Sequence, residues 1–199
     1  MNIYEDVKEA LNLKYHPVAF KLIFEKNYRP EIEQKFEAPS DFKRFCLFIK
    51  EAGEGRALRL KESNSSCLMI DKKSEIPSPT KLELNIQLDF RGLKYFLLFP
   101  KDLYEEEDFD GLILVLNPKN AMKIIKAYVE LFNKPLKLNC GVRSGVCSEI
   151  TAYVTKRQDV NFSFLCSGAR RFADYDECEL LCGIPAKMTD ELLGKIVGK

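Results

Sequence analysis

The chain passes from an apolar strand directly into a helix at two places, and these two junctions constrain its fold more than any other feature. Residues Gly111–Leu116 form an apolar run of strand length, and Asn117 and Pro118 follow as a helix cap and a first helical residue. Residues 161–172 alternate between apolar and polar side chains and then continue with helical spacing. Two strand–turn–helix units predict an α+β fold in which helices pack on a mixed or mainly antiparallel sheet.

Shorter patterns predict the other elements of this fold. Residues 18–24 are mostly apolar and predict a core strand, and the alternation in residues 81–100 predicts a β-hairpin with its turn at Arg91 and Gly92. Helical spacing predicts helices over residues 2–13, 41–52, 118–133 and 189–197. A further helix is predicted from Cys166 to about Cys182, with Gly183 ending it.

The composition indicates one globular domain that spans residues 1–199. Apolar residues make up 46% of the chain, which is enough for a sizeable core. The formal net charge is only +1, so the chain lacks the basic field that drives nucleic-acid binding. No apolar run reaches the roughly 18 to 20 residues of a membrane span. We therefore expect neither a nucleic acid nor a membrane as a partner.

The cysteines indicate a reducing environment. There are seven, an odd number, and the N-terminus has no signal-peptide pattern, so reduced thiols in a cytoplasmic protein are favoured over a disulfide framework. Five of the seven lie toward the C-terminus: Cys140, Cys147, Cys166, Cys178 and Cys182. Their spacing matches neither zinc ribbons nor bacterial ferredoxins. Cys178 and Cys182 would share one face of the predicted helix, where they could hold a metal or pack in the core.

Cys166 has the strongest individual case for reactivity, because it falls at the turn between the predicted strand and the predicted helix. Unpaired backbone N–H groups at a helix N-terminus favour the thiolate, and Arg170 one turn later adds a fixed positive charge. Ser167 and Gly168 allow a tight turn with exposed amide groups, which suits an anion. Cys166 is therefore the candidate nucleophile, and Ser167, Gly168 and Arg170 are candidate ligands of an anion.

A second loop repeats this combination of residue types. Cys140, Gly141 and Arg143 again place a cysteine, a glycine and an arginine together. If the two loops converge, Arg143 and Arg170 would form a cationic pocket for a carboxylate or a phosphate. Chance recurrence of the three residue types is the alternative.

Two other features are expected to have no chemical role. The one histidine, His16, lies far from these loops in sequence and is expected to be a structural residue beside a core strand. The acidic residues of segment 102–110 are expected to form a solvated loop, with a cation site or a partner site as the alternative. The sequence also lacks the motifs of dinucleotide-binding proteins, P-loop proteins, α/β-hydrolases and zinc metalloproteases.

Several segments, taken together, resemble a known family. They are His16-Pro17-Val18-Ala19, Cys46 with Glu51-Ala52-Gly53-Glu54-Gly55, Cys67, the helix that begins at Pro118, Cys147, residues 161–170 and Gly183-Ile184-Pro185. This combination, whose most specific part is Cys-x-Gly-Ala-Arg followed downstream by Gly-Ile-Pro, resembles the prokaryotic domain-of-unknown-function family 169. The resemblance implies a single intracellular domain common in archaea and anaerobic bacteria, with no established activity. The residues that match the family pattern are Cys46, Cys67, Cys147, Cys166, Gly168 and Arg170.

These observations lead to one expected function and two alternatives. We expect a site, gathered from separated loops, that binds a small anionic ligand, a cofactor or a metal centre, with zinc and an iron–sulfur centre as the candidate metal groups. The candidate metal ligands are Cys46, Cys67, Cys147 and Cys166, and the candidate anion ligands are Arg143, Ser167, Gly168 and Arg170. The first alternative is a thiol-dependent enzyme that uses Cys166 as its nucleophile or redox thiol. The second is a structural or partner-binding subunit with inert thiols.

Overall fold

A computed structural model describes residues 2–65, 91–140 and 145–198 of the chain. Its strands are β1 (Val18–Phe24), β2 (Leu58–Leu60), β3 (Leu93–Pro100), β4 (Gly111–Leu116), β5 (Asn161–Ser163) and β6 (Leu180–Pro185). Within the described residues these strands form one open sheet in the order β2-β3-β1-β4-β6-β5. Neighbouring strands are antiparallel at each of the five pairings. The expected antiparallel sheet is confirmed.

Helices cover both faces of this sheet. They are α1 (Ile3–Ala10), α2 (Glu31–Lys35), α3 (Phe45–Gly53), α4 (Pro118–Phe132), a π-helix (Gly145–Ala152), α5 (Tyr153–Arg157), α6 (Ser167–Phe172) and α7 (Ala186–Val197). Buried residues of α1, α4 and α7 belong to one apolar cluster, and those of α3, the π-helix, α5 and α6 belong to the other. The α+β fold class is therefore confirmed. No helix in the described parts of the chain has the length and apolar character needed to cross a membrane.

Strand β4 explains why the central strands are apolar throughout. Leu112 and Leu114 point into the cluster beneath α4 and α7, while Ile113 and Val115 point into the cluster beneath α3 and the π-helix. Because both faces of the sheet are covered, alternate residues of the strand face two different cores and none faces water. A continuous apolar run, rather than alternation, is the pattern that this position requires.

Several predicted boundaries agree with the structure. β1 spans the predicted residues 18–24. The side chain of Asn2 caps α1 by accepting hydrogen bonds from the amides of Tyr4 and Glu5, at 3.0 and 3.3 Å. Asn117 caps α4 in the same way, and Pro118 follows as the first helical residue. β3 agrees with the strand predicted after the turn at Arg91 and Gly92, while the other predicted strand of the hairpin lies outside the described residues.

The helix predicted from Cys166 to Cys182 is wrong beyond its first turns. α6 ends at Phe172, and the segment after it forms strand β6 between β4 and β5. Cys178 and Cys182 therefore do not share a helix face. Cys182 is fully buried in the sheet, and this burial raises the pKa of its thiol far above the usual value. It behaves as a core residue.

The acidic segment is less solvated than expected. The side chain of Asp102 is only 5% exposed. Asp110 accepts a hydrogen bond of 2.7 Å from the amide of Leu22. Lys101 is buried beside them and donates to three carbonyls of the loop, those of Tyr104, Glu105 and Glu107. The loop is thus folded around a buried lysine and attached to β1.

Asp110→Asn is expected to raise the free energy of unfolding near neutral pH. Burial raises the pKa of Asp110 despite the hydrogen bond from Leu22. The ionised carboxylate therefore lowers the free energy of unfolding near neutral pH. A carboxyl group with a raised folded-state pKa makes folding more favourable as the pH falls and the group becomes protonated. Asparagine keeps an acceptor for Leu22 and removes the charge. Urea unfolding at several pH values should show a gain that shrinks toward acid pH, and a gain independent of pH would contradict this explanation.

Candidate thiol and anion site

Cys166 lies at the turn between β5 and α6, as the sequence predicts. It occupies the N-cap position of α6 in an extended conformation, and its carbonyl accepts the first helical hydrogen bond, 3.0 Å from the amide of Arg170. Leu165 before it has a φ of +66°, a left-handed conformation that is rare for a leucine. The hydroxyl of Ser163 supports this turn by accepting a 3.2 Å hydrogen bond from the amide of Leu165. Such strained turns often position functional side chains.

The π-helix approaches this turn very closely at Gly145. A methyl group on Gly145 would lie 2.6 Å from Oγ of Ser163, 3.2 Å from the amide nitrogen of Cys166 and 3.2 Å from Oε2 of Glu149. Only glycine fits between these atoms. A buried carboxylate, a buried hydroxyl and the backbone of Cys166 therefore converge on one point. π-helical segments are rare and are found frequently at functional sites.

Asn161 fixes the relative positions of three segments around the turn. Its side chain is fully buried in β5 and donates to the carbonyls of Asn139 and Glu149, at 2.9 and 3.0 Å. Its carbonyl oxygen accepts a 2.9 Å hydrogen bond from the amide of Asn139. One side chain thus connects β5, the π-helix and the segment that carries Cys140.

Arg44 supplies a cation that the sequence did not reveal. A methyl group on Gly168 would lie 3.2 Å from Nη1 of Arg44 and 3.8 Å from Sγ of Cys166, so the guanidinium and the thiol flank the same glycine. The guanidinium lies over the ring of Phe172, with Cζ 4.2 Å from the ring centroid. Among the described residues it has no hydrogen-bond acceptor and no carboxylate partner. Within residues 2–65, 91–140 and 145–198, no group competes with a ligand for its N–H donors.

Three exposed phenylalanines lie close in sequence to Cys166 or Arg44. Phe164 is 60% exposed, although it lies only two residues before Cys166. Phe42, two residues before Arg44, and Phe172 are also exposed. Isolated exposed apolar residues are ordinary, but three phenylalanines on the segments that carry the thiol and the guanidinium provide apolar surface for a ligand.

Arg170 has a different environment from Arg44. Its guanidinium donates to the carbonyls of Phe164, Asp176 and Glu179, with distances of 3.1 Å to Phe164 and 2.6 Å to Glu179. These bonds connect the turn before Cys166 to the segment that leads into β6. The arrangement is a structural brace, while a role for Arg170 in binding an anion stays a prediction.

Of the other predicted anion ligands, two lie next to Cys166 and one lies outside the described residues. Gly168 separates Arg44 from Cys166, and Ser167 is the exposed first residue of α6. Arg143 lies outside the described residues. Cys140, in the same predicted loop, lies against β5, with its Sγ 3.6 Å from the carbonyl oxygen of Phe162. Burial, and after it the charge of Glu149, raises the pKa of the Cys140 thiol.

Three of the four candidate metal ligands lie on one side of the sheet. Cys46 is buried in α3, and Cys147 and Cys166 pack against the same apolar cluster. In the parts of the chain that the structure describes, no group of three or more His, Cys, Asp or Glu side chains is placed to hold a metal ion. Cys67 lies outside those parts. The predicted metal set therefore stays a prediction.

The fold and this site define a class of protein: an α+β domain with a six-stranded antiparallel sheet and a cysteine at a strand-to-helix turn beside an arginine. The chain belongs to the family DUF169, described as "Uncharacterised ArCR", whose profile matches residues 6–69 and 80–195. The resemblance predicted from the sequence is thereby confirmed. Searches among curated proteins and among solved structures find no match to this chain.

Proposed function

We propose that the protein binds a small anionic molecule at the site formed by Arg44, Gly168 and Cys166, with the thiol of Cys166 next to the bound ligand. One observation carries this proposal. The Arg44 guanidinium and the Cys166 thiol flank Gly168, and the N–H donors of Arg44 have no acceptor among the described residues. A guanidinium presents a planar set of donors that matches a carboxylate or a phosphate.

The surroundings of Arg44 support this role. Stacking on Phe172 restricts the guanidinium, so less side-chain freedom is lost when an anion binds. The backbone amides of Ser167 and Gly168 lie in the first turn of α6, before the first amide that donates within the helix, so they have no partner inside α6. Both are at or next to Gly168, which Arg44 and Cys166 flank. The exposed phenyl rings of Phe164 and Phe172 suit a ligand that also carries an apolar group.

A second candidate function is thiol chemistry at Cys166. The thiol of Cys166 is half-buried, follows a left-handed residue, and flanks Gly168 together with the guanidinium of Arg44. The bound anion would then be the substrate that the thiolate attacks. The two candidate functions use the same residues. They differ only in whether the bound anion reacts with the thiol of Cys166.

The proposal is tested by two alkylating reagents of similar size, iodoacetate and iodoacetamide, of which only the first is an anion. In each reaction the thiolate attacks the methylene carbon and iodide leaves. At neutral pH, the ratio of the iodoacetate rate to the iodoacetamide rate should be about fivefold higher at Cys166 than at exposed Cys178, because a nearby positive charge attracts the anion by roughly 1 kcal/mol. Peptide mass spectrometry of the native protein resolves the two sites.

Two arginine variants control this experiment. Arg44→Gln should lower the rate ratio at Cys166 to that of Cys178. Arg171→Gln should leave the ratio unchanged, although Arg171 also lies near the ring of Phe172, at 5.2 Å from its centroid. Equal ratios at Cys166 and Cys178 in the wild-type protein, or an equal loss in both variants, would contradict the proposal.

The alternative in which Cys46, Cys67, Cys147 and Cys166 hold zinc or an iron–sulfur centre requires a separate test. Purification without oxygen and without a metal-binding tag, followed by metal analysis and visible spectroscopy, should detect a bound metal. About one equivalent of zinc, or of iron with charge-transfer absorption, would favour the metal centre over the anion site. We expect small molecules or metals as ligands, and no nucleic acid.

A further inference from the structure

A second group of chemically active side chains lies at the other end of α3. His16, the only histidine of the chain, has Nδ1 2.5 Å from Oδ2 of Asp102. Nζ of Lys8 lies 3.0 and 3.3 Å from the two ring nitrogens of His16 and 3.8 Å from Oδ2 of Asp102. Nζ of Lys8 thus lies against the imidazole, close to both ring nitrogens, while Nδ1 makes the short contact with the aspartate.

The backbone holds these residues together from three elements. The amide of His16 donates to the carbonyl of Gly53 at the end of α3, at 2.8 Å. The amide of Lys101 donates to the carbonyl of Pro17 at 2.8 Å, which places Asp102 beside His16. Asn2 donates to the carbonyl of Asp102 at 2.7 Å. The position of the ring and of the carboxylate is thus fixed, whereas Lys8 reaches them on a flexible stem.

These side chains line a cavity of about 390 Å³. Glu5 and Glu9, one turn apart on α1, lie on its wall, and their carboxylates have no ion-pair partner among the described residues. Leu13 and Leu103 give it an apolar side, and Leu103 is 59% exposed. Glu5, Glu9 and Asp102 outnumber Lys8, so the cavity is an electronegative pocket with an apolar wall.

Asp102 provides an independent sign that this cavity takes a ligand with hydrogen-bond donors. Its side chain is 5% exposed, and its Oδ1 has no hydrogen-bond partner among the described residues. Buried carboxylate oxygens normally have a donor, so an unpartnered one beside a cavity requires an explanation. The ammonium group of Lys8 already lies against His16 and Asp102, so these two side chains can accommodate an ammonium group.

We propose that this cavity is a binding site for a small primary amine and that the ammonium group of Lys8 occupies the position of the ligand's ammonium in the free protein. The amine displaces Lys8, donates hydrogen bonds to Nε2 of His16 and to Asp102, and places its charge near Glu5 and Glu9. Its hydrocarbon part packs against Leu13 and Leu103. Lys8 acts as an internal competitor that a ligand must replace.

The single histidine permits a direct test. The tag-free full chain, labelled with ¹⁵N in histidine only, has one imidazole to observe, and n-propylammonium and propionate are probes of matched length and opposite charge. At constant ionic strength n-propylammonium should shift the imidazole signals with saturation, and propionate should not. Lys8→Met should tighten the binding of n-propylammonium at least about fivefold. In the wild-type protein Lys8 occupies the site in most molecules, and the apparent affinity is reduced by the fraction of molecules in which the site is open.

Further variants separate this proposal from its rival. The double variant Glu5→Gln and Glu9→Gln should weaken the binding of n-propylammonium at least about fivefold, and Glu31→Gln on α2 should not change it. The rival is a site in which Lys8 binds anions. A saturable response to propionate that disappears in Lys8→Met, an unchanged response to n-propylammonium in that variant, or the absence of any saturable response would overturn the proposal.

Discussion

Gly183→Ala is expected to be among the most destabilising single substitutions, lowering the free energy of unfolding by about 3 kcal/mol. A methyl group at Gly183 would lie 2.6 Å from the carbonyl oxygen of Ile150 and 2.7 Å from Cγ2 of Val154. The carbonyl belongs to the π-helix, so it can move only if the helix moves away from the sheet. Urea unfolding monitored by circular dichroism measures the loss.

Two companion variants identify the cause of this loss. Val154→Ala removes the side-chain contact but not the contact with the backbone of Ile150, so Gly183→Ala should remain almost as costly in that background. Cys182→Ala changes the neighbouring residue of β6, which faces the opposite core, and should cost only about 1 kcal/mol. If Val154→Ala restored most of the stability, the backbone of the π-helix would not be the obstacle.

Asn161→Leu is expected to have the second largest effect, also about 3 kcal/mol, because it leaves several buried polar groups without partners. The substitution removes the acceptor for the amide of Asn139 and the donor for the carbonyls of Asn139 and Glu149. The π-helix and the segment that carries Asn139 then lose these hydrogen bonds to β5. The iodoacetate preference of Cys166 should fall as well, since the π-helix that these bonds hold packs against the turn at Gly145.

Asn139→Ala is the matched control for this variant. Asn139 contributes only backbone atoms to two of the three hydrogen bonds, so removal of its side chain should change the free energy of unfolding by less than about 0.5 kcal/mol. Equal losses in Asn139→Ala and Asn161→Leu would show that the region is sensitive to any change, and that the Asn161 side chain has no special role.

The sequence predicts elements whose signals are local. Asn2 and Asn117 mark helix starts because a cap depends on residues within one turn, and β1 is recognised from its own apolar run. The first half of β6, up to Cys182, was predicted as helix for the opposite reason. An apolar segment such as Leu180–Pro185 has the same appearance in a helix and in a doubly covered strand, and only its pairing with β4 and β5 decides.

The partners at the two sites were harder to predict than the central residues. Cys166 was found because its turn is encoded within a few neighbouring residues. Arg44 is one of 31 basic residues, and only the packing of α3 against α6 brings it to Gly168. His16 and Asp102 are 86 residues apart and meet because the start of β1 pairs with the end of β3. Such contacts leave no periodic signal in a single sequence.

Glu149 and Arg170 illustrate a second limit. The burial of Glu149 could not be predicted, because it depends on the π-helix. No residue pattern in a single sequence indicates π-helical backbone geometry. Arg170 has the residue type and spacing expected of an anion ligand, yet it braces three carbonyls. Residue type limits what a side chain can do, and the surrounding backbone decides which of those roles it takes.

The most direct test of an anion site beside Cys166 is the rate at which iodoacetamide modifies this thiol as inorganic phosphate replaces chloride at constant ionic strength. Phosphate bound to Arg44 should slow the modification of Cys166 with saturation, leave exposed Cys178 unaffected, and lose its effect in Arg44→Gln. Equal rates at Cys166 with and without phosphate, or equal slowing at both cysteines, would contradict an anion site at Arg44 and Cys166.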